Sequence, residues 1–205
     1  MLAGIRRFLY DGVLMRGTFA CALVAAAALA AAGCGKARTP EAAQQKLCKA
    51  VGARDASALF EALDEKTRWA WMTVQKSHRE AYDIILSNYP EGAERERELR
   101  RFERGAVLGS GRALFAEAFG QAALATLGPF CAGDARFERG PDGENATAVL
   151  ASGAHAPLRR GSKDTWGFAG FADDAEDRQR RALADVDEVR VSAADYERAA
   201  TRSAK

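Results

Sequence analysis

The run from Phe19 to Ala32 carries no charge and no proline, has Arg16 just ahead of it, and ends in small residues against Cys34. It falls short of the about 20 residues that a permanent membrane-crossing helix needs. A basic flank, a short apolar core and a small-residue end are the parts of a cleaved export signal. This takes residues 1–33 out of the fold, so whatever the chain builds must come from residues 34–205. Roughly 170 residues remain, which suits a single domain with its own core. Met15-Arg16-Gly17 is itself a suitable start for a compact signal.

The end of the run, Leu29-Ala30-Ala31-Ala32-Gly33-Cys34, resembles the lipobox of bacterial lipoproteins, where small residues before the cysteine admit the signal peptidase. The resemblance implies that the Cys34 thiol receives a diacylglyceryl group. It also implies that cleavage leaves Cys34 as the first mature residue, its new amino group often acylated. Residues 34–38 would then be a lipidated tether and residues 39–205 the domain. The location implied is the bacterial cell envelope, with the chain held to a membrane by lipid on Cys34 and facing the periplasm. Gly35 and Lys36 lack the aspartate that retains enterobacterial lipoproteins at the inner membrane, which favours the outer one. An ordinary secretory signal in which Cys34 is incidental is the alternative. Arg6-Arg7-Phe8-Leu9 resembles a twin-arginine signal only in part, because that pattern wants a residue between the second arginine and the phenylalanine.

The whole chain has 30 Lys+Arg against 28 Asp+Glu. Removing Arg6, Arg7 and Arg16 together with Asp11 leaves bases and acids equal, so no global basic field points to nucleic acid. With Cys21 in the signal and Cys34 under lipid, Cys48 and Cys131 are the two remaining thiols, a candidate disulfide in an oxidising compartment. The competing reading makes Cys48 a small buried hydrophobe and Cys131 a loop thiol.

Thr39-Pro40-Glu41 reads as a capped helix start, with Ala43, Leu47, Cys48 and Val51 on its inner face. Asp55 caps a short second helix and Asp64 opens a longer one that Tyr89-Pro90 stops. On the longer helix Trp71, Val74, His78, Tyr82 and Ile85 form a stripe, widened by Trp69 and Met72. Arg95 to Arg104 alternates acid and base as a solvated helix ended by Gly105. Gly109-Ser110-Gly111 reads as a flexible joint before another buried helix. From Ala135 to Phe171 the texture predicts three or four short antiparallel strands. A C-terminal helical seam runs through Ala182, Val186, Val189, Ala193, Tyr196 and Ala200, as one helix or as two divided near Ser192. The expected class is α+β: N-terminal helices, a small antiparallel sheet, a C-terminal helix.

The Thr39-Pro40-Glu41 helix start, the segment from Arg54 to Asp64 and the late strand Asp164-Thr165-Trp166-Gly167-Phe168 together look like the nuclear transport factor 2-like superfamily, which includes SnoaL-like and ketosteroid isomerase-like members. The resemblance implies a curved sheet wrapped on helices. It also implies membership of a group that includes isomerases, dehydratases and noncatalytic envelope lipoproteins. The helical segment between Pro90 and Pro129 and the charged helix after Phe171 depart from that pattern.

Catalytic signatures are scarce. His78 and His155 are the two histidines, neither with a second ligand at metal spacing, so no metal or cofactor is expected. Ser110 and Ser152 sit between small residues, which mark turns rather than nucleophile elbows. Trp69, Trp71, His78, Tyr82, Trp166 and Phe168 form a candidate pocket, or alternatively the large residues that fill an Ala-rich core. The function expected is noncatalytic binding of an envelope protein or a small apolar ligand. A small isomerase or dehydratase is the alternative.

Overall fold

A computed structural model describes residues 36–203. The expected export signal, the expected lipidation at Cys34, and Gly35 lie outside the described residues. The described chain is mixed helix and sheet in the order expected: helices, a four-stranded antiparallel sheet, then a C-terminal helix.

Helix α1 (Pro40–Gly52) begins where Thr39 Oγ1 accepts the Ala42 N–H at 3.2 Å and Pro40, having no N–H to leave unpaired, takes the first position. Helix α2 (Ala56–Ala62) starts on Asp55, whose carboxylate accepts from the Ser57 and Ala58 N–H groups at 2.9 and 3.0 Å. Helix α3 (Glu65–Asn88) starts on Asp64, which accepts from the Lys66 N–H at 3.0 Å and from the Thr67 hydroxyl. It stops where Pro90 holds Tyr89 extended.

Helix α4 (Ala93–Val107) does not end at Gly105 as expected. Gly105 is buried inside the helix, where a Cβ would overlap the His78 imidazole. Glycine stands there because α4 presses on α3. The Gly109-Ser110-Gly111 segment is likewise no flexible joint. Ser110 Oγ accepts the Ala113 N–H at 3.2 Å and caps α5 (Gly111–Phe115). At Gly111 a Cβ would lie 2.7 Å from Met72 Cα, so glycine allows α5 to cross the backbone of α3. Gly111→Ala should therefore cost about 1–3 kcal/mol in urea unfolding. Gly109→Ala, with nothing within 4 Å of its Cβ, should stay within about 0.5 kcal/mol.

A π-turn (Ala116–Gly120) joins α5 to α6 (Gln121–Thr126), and a 3-10 turn (Gly128–Cys131) leads into the sheet. Strands β1 (Ala135–Arg139), β2 (Asn145–Leu150), β3 (His155–Arg160) and β4 (Trp166–Phe168) pair in sequence order, each antiparallel to the next. Asp142, followed by Gly143 at φ 67°, turns β1 into β2. Ala146, Ala148 and Leu150 alternate inward, as do Ala156 and Leu158, giving one apolar face that α1 covers. Ala37, placed by sequence in the tether, is buried, and its carbonyl accepts the Trp166 N–H at 2.8 Å.

Helix α7 (Ala172–Ser203) is continuous through Ser192, which settles the choice left open by the sequence. Ala182, Val186, Val189 and Ala193 are buried as expected, whereas Ala200 is exposed. Its direction is set at β4. Leu63 bridges Phe168 in parallel, and the Asp64 N–H donates to the Phe168 carbonyl at 3.0 Å. Both chains then enter helices, so α3 and α7 leave side by side in the same direction. Glu80 pairs with Arg190, and Tyr89 meets Tyr196 at 4.8 Å between ring centroids. Helix α4 runs back along both. Ala81, Ile85, Phe102, Val186 and Val189 make the core of this bundle, while a larger core lies between the sheet, α1, α2, α5 and the first half of α3.

Candidate functional site

The six aromatic and histidine positions expected around a pocket divide among three environments. Trp71, 1% exposed, sits edge-on to Phe115 at 5.4 Å and against Phe119 at 5.9 Å, with the Arg178 guanidinium over its ring. Phe168 is buried in the same core and Trp166 packs beside it. Tyr82 packs on the helical bundle instead. His78 is half-buried, 5.8 Å from the Phe102 ring. Trp69 faces solvent. Trp71, Trp166 and Phe168 thus act as core, and the expected stripe of α3 faces inward with Trp71, Val74 and Ile85 buried, but its widening differs: Trp69 and Met72 point outward while Ala70, Ser77 and Ala81 point inward. The reason is the parallel neighbour α7, which approaches α3 on its small residues.

Burial lowers the His78 pKa from its ordinary 6.5; Asp185 on α7 opposes this and Arg101 on α4 adds to it. A histidine whose folded value is depressed is protonated more readily in the unfolded chain. Its contribution to stability is therefore intact above pH 6.5 and falls as pH drops from there toward the lower folded value. Denaturation midpoints should fall as pH drops below 6.5, and His78→Gln should flatten that part of the profile. Persistence of the slope in the variant would assign it elsewhere.

Cys48 and Cys131 are bonded, their Cα atoms 5.2 Å apart. The bond ties α1 to the 3-10 turn before the sheet. Beside it Gln44, buried, donates from its amide to the Phe130 carbonyl and to Cys48 Sγ at 3.5 Å.

Trp69 presents the one expected site residue to solvent, at 56% exposure. It lies on the first turns of α3 beside an open cleft of about 470 Å³ bounded by Lys66, Trp69 and Ala70 of α3 and Glu176, Gln179 and Arg180 of α7. Glu65, one turn back, has its carboxyl pKa lowered first by the Ser162 N–H at 2.7 Å, then by the Ser162 hydroxyl, with the Trp69 indole contributing. The exposed indole offers large apolar area with little rotamer entropy to lose, beside mixed charges of the cleft. Sequence reasoning picked out Trp69 but missed Gln179 and Arg180, which join it only through the α3–α7 pairing.

Comparison with family models, with curated proteins and with solved structures returns no match. The chemistry must be read from the residues themselves. Among the described residues no group of three or more histidine, cysteine, aspartate or glutamate side chains could hold a metal ion. Among them also, no helix is long and apolar enough to cross a membrane.

Proposed function

We propose that this chain is a lipid-anchored protein of the bacterial cell envelope whose domain binds another protein, without catalysis, through Trp69 and the cleft between α3 and α7. The lipobox-like end of the export signal supports the anchor, and the outer membrane is the favoured site. The solvent-facing indole of Trp69 on the edge of this cleft carries the binding half of the reading. Two or three acyl chains on one cysteine hold a protein to a bilayer far more firmly than the single chain that gives marginal binding. An acid–base enzyme of the isomerase or dehydratase kind would need His78 and a carboxylate converging in one enclosed cavity. His78 instead packs on Phe102 and over Gly105, away from the cleft between α3 and α7.

Mass spectrometry of the mature N-terminus tests the anchor. The expected terminus is a diacylglyceryl-modified Cys34, and Cys34→Ala should leave the precursor unprocessed; an unmodified terminus on either side of Cys34 would sink the claim. A photocrosslinking residue at position 69, in cells, tests the surface. It should give a discrete adduct that the same residue at Arg97, on the solvent face of α4, does not give. Equal labelling from both positions would remove Trp69 from the binding role.

A further inference from the structure

Four helices bring Lys46, Glu61, Arg68 and Arg112 to one place. Arg68 Nη1 lies 3.5 Å from Glu61 Oε2 and Arg112 Nη1 lies 3.9 Å from Glu61 Oε1, while Lys46 Nζ donates to the Glu61 main-chain carbonyl. Two guanidinium groups thus share one carboxylate, with the Lys46 ammonium held beside them on the main chain. The contacts to that carboxylate are long for charge-assisted hydrogen bonds, which run at about 2.7–2.9 Å. Arg68 Nε is inaccessible to solvent and has no hydrogen-bond partner among the described residues. Burial lowers the Lys46 pKa; Glu61 opposes that and Arg68 adds to it. Partly buried positive charge that is not balanced locally costs free energy until an anion joins it. No sequence pattern announces the cluster, because positions 46, 61, 68 and 112 come from separate elements.

We infer that Lys46, Arg68 and Arg112 form a binding site for a phosphate group, with Glu61 as its built-in competitor. The shape of the cluster favours phosphate over a carboxylate ligand. A planar carboxylate is already there, and its two oxygens stand 3.5 and 3.9 Å from the two guanidinium groups, too far for charge-assisted hydrogen bonds. A tetrahedral phosphate offers more acceptor oxygens and a larger charge to two guanidinium groups and an ammonium approaching from different helices. The Glu61 side chain, 44% exposed, has room to swing into solvent when the anion enters. The group could arrive as free phosphate or a phosphate monoester, or as the phosphodiester of a lipid headgroup. This inference is independent of the Trp69 surface.

Calorimetric titration of the detergent-solubilised full protein tests it, with inorganic phosphate as one probe and glycerophosphoglycerol, the soluble headgroup of phosphatidylglycerol, as the other. Saturable binding of at least one probe is expected, about tenfold weaker in Arg112→Gln and in Lys46→Gln and about tenfold tighter in Glu61→Gln. Arg97→Gln, on the solvent face of α4, should leave it unchanged. Preference for inorganic phosphate assigns the site to free phosphate or a monoester, and preference for the diester assigns it to lipid; either supports the site. These substitutions are at partly exposed side chains, and circular dichroism confirms that each variant is folded. Absence of binding in both the wild type and Glu61→Gln overturns the inference, as does binding that Arg112→Gln and Lys46→Gln leave intact.

Discussion

Replacing Cys48 and Cys131 together by alanine, or reducing the bond between them, is expected to lower the free energy of unfolding by about 4 kcal/mol. The two residues are 83 positions apart, so the bond closes a loop that spans α2 to α6 and removes much of the freedom of the unfolded chain. The folded state keeps other ties at the same place: the Gln44 amide still reaches the Phe130 carbonyl, and Leu47 still packs in the main core. The loss should therefore appear as lower stability rather than as a different fold. For a domain of this size 1 kcal/mol moves the melting temperature by about 2–4 °C, so a fall of about 8–16 °C is expected under reducing conditions. A fall under about 3 °C would mean that the bond constrains little. Nonreducing peptide mapping that finds both thiols free to alkylate would show that it does not form. Persistence of the bond also bears on location, because disulfides survive in oxidising compartments such as the periplasm.

Trp71→Ala should cost about 3–5 kcal/mol, as expected for removing a large aromatic side chain from a packed core. Its ring touches Phe115 and Phe119, and through them a line of aromatics continues to Phe60 on one side and to Phe171 and Phe168 on the other. Trp71→Phe keeps most of these contacts. It also removes an indole N–H that is buried with no hydrogen-bond partner among the described residues. Relief of that group offsets part of the lost volume, so the phenylalanine variant should cost under about 1.5 kcal/mol. The contrast separates a structural tryptophan from a ligand-lining one. Core packing predicts a wide gap between the two variants in denaturant midpoint. A pocket wall predicts small stability effects from both.

Much of the local structure was legible because its causes are local. Thr39, Asp55 and Asp64 cap helices with their own side chains, and Pro90 stops α3 at Tyr89; each acts within a few residues. The alternation in β2 and β3 follows from the two-residue period of a strand, and the sheet appeared where the texture changed. The inner face of α3 was only half legible. Pattern reading gives weight to large apolar residues, yet here Ala70, Ser77 and Ala81 are buried and Trp69 and Met72 are not, since a closely packed neighbour selects for small side chains. Gly105 and Gly111 look like punctuation in sequence and are crossing points in three dimensions.

The sequence by itself determined where α1, α2 and α3 begin and where α3 stops, the order of the α+β elements and which two thiols were available to pair. Those properties rest on capping, period and composition, which neighbouring residues carry. Tertiary structure decided that α3 and α7 run parallel, because a single main-chain bridge between Leu63 and Phe168 fixes both directions. It also decided that Trp69 faces solvent and that Lys46, Arg68 and Arg112 converge on Glu61. Such placements depend on contacts between residues tens of positions apart, and no local pattern specifies which distant segments meet.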